Sequence, residues 1–457
     1  MDLNKNQIIA IGVVAIIIVA AAAILVLNGD DDKKGDAEYG QYSFRLDVYG
    51  NANEDLVIDD KDLEIIQDIV DGKATAGDYP LADADKNGAV DSKDKDLVNK
   101  IIKGQDCTVQ VICLDENGND VVKAVEFPVK NAVPYGSNMT GVFINAGGVD
   151  HCAGYMSKKT SYPEMNSELF NSDAVAIEIS RQMTTAGWEQ FISLDAALIE
   201  STGKGVDAFF VDHSVTALSK SSVYRDDLAA AGIPEIRLAV ADPIGDVNAA
   251  LLIGFLCDDD QGYNYASESI RAFALVEDAL SGLDKDDQKT YICETMGCYV
   301  CQNDSTFNTM PSYVGGMPYY IVNDEFAALY EGTSSVKMEG PETLSNFDDA
   351  EFIWCSNNLD IQTGDYSNTI IAEYEEYASY YETLDNREQR VLINAINPGI
   401  IKLAFVASIM YPDLVDEDIL QEVFDIVSES SITLDGHTMS EACVAITYED
   451  YVNAKGA

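Results

Sequence analysis

Between Tyr49 and Gly72, five oxygen-bearing side chains fall at fixed offsets of one twelve-residue window. Asn51, Asn53, Asp55, Asp59 and Asp62 take places 1, 3, 5, 9 and 12, and Val57 stands at place 7, where a backbone carbonyl completes the set. A hard cation takes about six to eight oxygens, and a loop with this spacing wraps around one ion. The arrangement recurs with Asp83, Asp85, Asn87, Asp91 and Asp94 on the side-chain places, Ala89 on the carbonyl place and Gly88 on the sixth. The second copy holds more carboxylates and the turn glycine. Two Ca2+ sites are therefore expected, the second the stronger.

Each loop needs a rigid element behind it to hold its ligands in place. The stretches "DLEIIQDIVDG" and "DLVNKIIKG" repeat apolar residues at helical spacing and end on a glycine suited to a C-cap. The reading is loop then helix, twice, over residues 45–105. This pair resembles the dockerin family of calcium loops, whose twelfth position is usually Asp, as at Asp62 and Asp94. The first copy departs from that pattern with Asn51 at place 1 and Leu56 at place 6. The resemblance implies a small all-α module and a cohesin-type partner.

The chain has 457 residues, 47% of them hydrophobic, enough for more than one domain. Its 79 acids against 28 bases leave a formal charge of −51, which argues against nucleic acid and anionic membrane surfaces as partners. The uncharged run Ile8 to Leu27 is long enough to cross a bilayer of roughly 30 Å. It is read as an uncleaved transmembrane helix within residues 1–29, followed by a linker, 30–44, with the bulk of the chain extracytoplasmic. The sequons at Asn138 and Asn303 have meaning only in that setting.

Three histidines exclude a His-cluster zinc site. The nine cysteines do not space as a disulfide framework; "CYVC", Cys298 to Cys301, has the spacing of a redox pair or half a zinc site, with no second CxxC to complete it. The glycines at 146–148 and 314–316 lack the lysine spacing of a phosphate cradle, and no nucleophile elbow is present. Catalysis has no visible seat, so the chain is read as a non-enzyme.

From Cys107, "TVQVICLDENGNDVVKAVEFPV" reads as two strands joined by a turn at Asn117 to Asn119. Short β-rich runs then alternate with helical patterns: "NAVPYGS", "AVAIEIS", "DAFFVDHS" and "EIRLAVAD". A long helical stretch, Asn264 to Leu283, precedes a second alternation with "KTYICETMG", "PYYIVND" and "EFIWCSNN". Alternation of this kind predicts an α/β fold: two doubly wound, Rossmann-like lobes, residues 106–262 and 285–457, joined by a helix over 263–284. Ligands of such sheets sit beyond the carboxyl ends of the strands. Those tips are Tyr135, Ser137, Arg181, Met183 and His213 in the first lobe, and Met296, Tyr299, Ser356 and Asn357 in the second.

The segments "NPGIIKLAFVASIMYPDLV", "GWEQFISLDAALI" and "VQVICLDENGNDVV", in their order along the chain, resemble the class III periplasmic binding proteins that deliver siderophores, haem or cobalamin to ABC importers. Archaeal versions of that family carry an anchor and a dockerin-like pair ahead of the lobes, as in this order of segments. The sequence departs from the family at "SRQMTTAG" and "ETMGCYVCQNDSTFN", the loops where ligand contacts fall. The resemblance implies an iron complex or corrinoid between the lobes, an ABC permease as partner, and a docking glutamate on each lobe, at Glu189 and Glu342. A surface adhesion protein acting through the calcium module, or an extracellular metalloenzyme using the CxxC, are the other readings. A Soret or corrin band in the purified protein distinguishes the first from both.

Overall fold

The computed structural model describes residues 38–39, 42–156, 169, 172, 174–177, 185–213, 224–295, 299–301, 309–328, 335–337, 347, 349–357, 366–379, 381, 385–395 and 397–456. A two-residue hairpin, β1 (Glu38–Tyr39) and β2 (Tyr42–Ser43), precedes the paired loops. Each loop leads into one amphipathic helix, α1 (Asp60–Val70) and α2 (Ser92–Ile102). Both helices open on a reciprocal capping box, Asp59 with Asp62 and Asp91 with Asp94, so the loop acids also start the helices. Ile66 and Val98 turn inward and meet Ala52, Ala82 and Ala84 in a small shared core.

This module is sewn to the first strand of the neighbouring lobe. Val48 bridges Val111, the Tyr49 amide donates to the Gln110 carbonyl at 2.9 Å, and the Ile112 amide to that of Asp47 at 2.9 Å. Phe44, Leu46, Val48 and Ile101 belong to the same apolar core as both lobes.

The first lobe begins with β3 (Cys107–Leu114) and β4 (Asp120–Phe127), paired antiparallel over their full length as the sequence predicts. There follow β5 (Ala132–Tyr135), helix α3 (Ser137–Asn145), β6 (Gly154–Met156), β7 (Val175–Ile177), α4 (Thr185–Thr202), β8 (Ala208–Asp212), α5 (Arg225–Ala231) and β9 (Glu235–Leu238). The sheet order is β4-β3-β9-β8-β5, with β5, β8 and β9 parallel; a bridge from Ala132 to Cys152 carries it toward the parallel pair β6-β7. The chain winds outward from β5 through β6 and β7, then returns to the other side through β8 and β9. The switch point lies between β5 and β8.

Helices α6 (Pro243–Cys257) and α7 (Gln261–Leu280) connect the lobes; the second is the long helix expected, three residues earlier than the sequence pattern suggests. The second lobe contains β10 (Thr290–Thr295), β11 (Tyr299–Cys301), β12 (Met317–Pro318), α8 (Tyr319–Val322), α9 (Asp324–Ala328), β13 (Ser335–Lys337), β14 (Phe352–Asn357), α10 (Tyr366–Ser379), β15 (Arg390–Asn394), α11 (Gly399–Met410), α12 (Glu417–Ser430), β16 (Ala445–Thr447) and α13 (Tyr448–Gly456). Its sheet runs β13-β11-β10-β14-β15-β16, with β10, β14 and β15 parallel and the switch point between β10 and β14.

Two expectations need correction. "PYYIVND" is expected as a strand, but only its first residue, Pro318, belongs to β12 before the run turns helical as α8. Tertiary packing overrides its β-rich composition: Tyr319 stacks edgewise against Phe326 and Phe347 and bonds the Asp349 carboxylate. The expectation of a single-span membrane protein is also corrected. Among the described residues no helix is long and apolar enough to cross a membrane, and the run Ile8 to Leu27 lies outside them.

Candidate functional site

The sequence-predicted tips divide sharply. Tyr135 ends β5 but its side chain is 1% exposed and stacks on Phe209 in the first lobe's core, so its expected place in a cleft is corrected. Ser137 begins α3, half-buried, directly after Gly136. His213 follows β8; its amide pairs with the Leu238 carbonyl, and its ring lies against the β3–β4 turn at Gly118. Its Nδ1 is buried with no hydrogen-bond partner among the described residues. Burial, then the nearby Arg237 cation, lowers its pKa and favours the neutral ring.

In the second lobe, Ser356 lines an interior void of about 10 Å³ with Cys293, Trp354 and Val406, and its hydroxyl is buried without a partner among the described residues. It faces the lobe's interior rather than a cleft. Asn357 donates to the Glu373 carboxylate at 3.2 Å, tying the tip of β14 to α10. Tyr299 opens β11, with its backbone alone described. Arg181, Met183, Met296, Cys298 and Glu342 lie outside the described residues, whereas Glu189 is exposed on α4.

What sequence reasoning missed is a buried polar seam where the carboxyl ends of both sheets meet. Asp242, just after β9, caps α6 by accepting from the amides of Ile244 and Gly245 at 3.0 Å, while its other oxygen takes the Tyr313 hydroxyl of the second lobe at 2.6 Å. One turn on, Asp246 accepts from the Tyr265 hydroxyl at 3.0 Å and from the Gly399 amide at 2.6 Å. Gly399 is the first residue of α11, so the carboxylate of one lobe sits at the positive end of the other lobe's helix. Only glycine fits there, since a Cβ would lie 2.6 Å from the Cα of Pro243.

Lys402, on the same helix, is 2% exposed; its ammonium donates to the Ala395 carbonyl at 2.9 Å. Burial lowers its pKa, and Asp246, Asp212 and Asp242 oppose that shift. Burial raises Asp246 to about 6 against the lowering pull of the Gly399 amide, Lys402 and Tyr265. A signal was available: single charges in the otherwise apolar helices "PIGDVNAALLIGFLC" and "GIIKLAFVASIM" rarely lack a buried partner.

The paired loops share the bonds made to their twelfth-place carboxylate. The amides of Asn53 and Asp59 donate to the two oxygens of Asp62 at 3.1 and 2.8 Å; those of Asp85 and Asp91 donate to Asp94 at 3.1 and 2.7 Å. Glu54 and Lys86, each fourth in its loop, both adopt left-handed backbone with φ of 58° and 59°. In the second loop the oxygens of Asp83, Asp85 and Asp94 lie within 4.8 Å of one another, and Gly88 turns at a φ of 95°. In the first, Asn51 turns its amide nitrogen to the carbonyls of Leu46 and Asp55, leaving its Oδ1 buried without a partner among the described residues. Lys61 also approaches Asp55 at 3.9 Å. An all-oxygen set of this kind suits a hard cation, and the second loop presents the denser negative charge.

No family model and no curated protein matches the chain. The solved structures it is similar to include several described as periplasmic binding proteins. A periplasmic solute binding protein from Veillonella parvula is 14% identical with a TM-score of 0.47, over 76% of this chain and 100% of the other. A Helicobacter pylori protein solved with Ni(II) bound is 10% identical with a TM-score of 0.47, over 69% and 95%. A periplasmic vitamin B12 binding protein of Vibrio cholerae is 12% identical with a TM-score of 0.42, over 67% and 99%. Likeness of this degree assigns neither ligand nor partner to this chain.

Proposed function

We propose that this chain is a solute-binding protein that holds an iron complex or a corrinoid between its two α/β lobes and presents it to an ABC permease, with Glu189 and Glu342 on the docking faces. The observation that carries the reading is the seam itself. The helices that follow the last parallel strand of each sheet, α6 and α11, meet at their N-termini, which brings the carboxyl ends of both sheets to one junction, the end where ligands of such sheets sit. A ligand lodged there touches both lobes. The ligand class follows from the ordered segments that resemble the class III proteins. An equilibrium binding screen of haem, ferric siderophores and cobalamin should return one ligand of micromolar affinity or better, and reversing both glutamates should abolish permease association while leaving that affinity intact. No binding by any of them would reject the ligand class.

The paired loops are assigned to two Ca2+ ions, held by the residues at places 1, 3, 5, 7, 9 and 12 of each, the second more tightly. Binding must expel the protons that burial retains. Asp62 is raised to about 6 by burial, and Asp55 and Asp94 are raised for the same reason. Affinity should therefore rise with pH and level off above about 6.5, the first site being about tenfold weaker at pH 5 than at pH 7. Calorimetric titration at the two pH values checks this; a pH-independent affinity would contradict it.

A further inference from the structure

We propose that Asp246 is the positioning residue of the lobe–lobe junction, fixing the angle between the lobes by capping α11 across the seam. Helix α11 has no side-chain cap at its own N-cap place, which Pro398 occupies. An uncapped N-terminus leaves about four amides without partners and the positive end of a dipole bare. Asp246 supplies the missing acceptor to Gly399 from a position 153 residues earlier, while the Tyr265 hydroxyl holds the other carboxylate oxygen in place from α7. Asp246 is 3% exposed, so the cap is shielded from water.

The groups facing Asp246 are Tyr265 on α7, Lys402 and the Gly399 amide on α11, and Asp242 on its own helix; Asp212 at the tip of β8 shares Lys402 with them. Parallel to this contact, the Asp242 to Tyr313 bond joins the lobes at a second point. Two such points one turn apart on α6 set an angle, whereas one alone would act as a pivot. Prising the lobes apart exposes the first turn of α11 and strips its cap.

The chain without ligand suffices for the test, so its outcome does not hang on the solute-binding reading. Hydrogen exchange at the α11 first turn is measured in the wild type, D246A and D246N, with small-angle scattering alongside. D246A should speed exchange at Gly399 by about tenfold or more, the loss of one charge-assisted bond, and enlarge the radius of gyration. D246N keeps an acceptor for Gly399 and should restore most of the protection. The pH profile separates positioning from mere packing. A closed seam that raises Asp246 to about 6 holds its proton more tightly than an opened, wetted one, so wild-type protection should decline as pH rises through 6, and D246N should be flat. Equal exchange in wild type and D246A, or a D246N protein as open as D246A, would overturn the proposal. If the effects hold while haem, ferric siderophores and cobalamin all fail to bind, the junction stands and the proposed ligand class falls.

Discussion

Removing divalent cations with a chelator at pH 7.5 should lower the thermal midpoint of the whole chain, not of a detachable fragment. The loops are expected to bind Ca2+ only in the folded state, and each site contributes about 2.7 kcal/mol when the free ion is a hundredfold above its dissociation constant. Residues 44–49 lead directly into the first loop, Val48 bridges Val111 of β3, and the Phe44 ring packs tilted against Phe273 of α7 with centres 5.3 Å apart. Losing the loops therefore frays one edge of the first lobe and the helix that joins it to the second. Calorimetry should show the main transition moving. A minor transition that shifts alone, above an unmoved major one, would show that the module folds independently. Acid should blunt the effect. The raised pKa of Asp62 means that, without the ion, its burial costs nothing below the unfolded value and costs progressively more as pH rises through about 6. Chelation at pH 5 should thus shift the midpoint less than at pH 7.5.

The loop-then-helix repeat was legible because it is a local matter: each loop spans twelve residues, and the helix behind it announces itself by apolar period. The β3–β4 hairpin and the runs that became β5, β8, β9, β10 and β14 were legible for a related reason, their β-branched and aromatic density between turn residues. The seam was not. Asp246 and Gly399 stand 153 residues apart, and nothing in either segment points to the other. Tip arguments also misplace side chains: Tyr135 ends a strand, as the pattern requires, but the pleat turns it into the core beside Phe209. A strand's end is readable from sequence; the face its last residue takes depends on the neighbour strand.

Replacing Arg390 with Met should be among the most destabilising single changes in the second lobe, costing about 3–5 kcal/mol. Arg390 is 1% exposed and bonds Glu294, which is fully buried, while its guanidinium lies 3.2 Å from the ring centre of Tyr381. Tyr377 and Tyr381 donate to the two oxygens of Glu294 at 2.5 and 3.0 Å. These groups span β10, α10 and β15, so the pair holds the middle of the sheet to its covering helix. Removing the cation leaves a carboxylate with two hydroxyl donors and no counter-charge in a water-free site. Even with Arg390 present, burial already raises the Glu294 pKa; Arg390 is the first of the influences that lower it. Without it the carboxyl should favour its protonated form, and this fixes the sign of the linkage: the variant's deficit should be smallest in acid and grow as pH rises. Pairing Arg390→Met with Glu294→Gln removes both charges and should recover part of the loss, with a coupling energy of about 0.5–3 kcal/mol in a double-mutant cycle. Denaturant melts of the four proteins at pH 5 and pH 8 give the cycle twice. Additive losses at both pH values would mean that the arginine serves by packing on Tyr381 alone, and that Glu294 draws its support from the tyrosines.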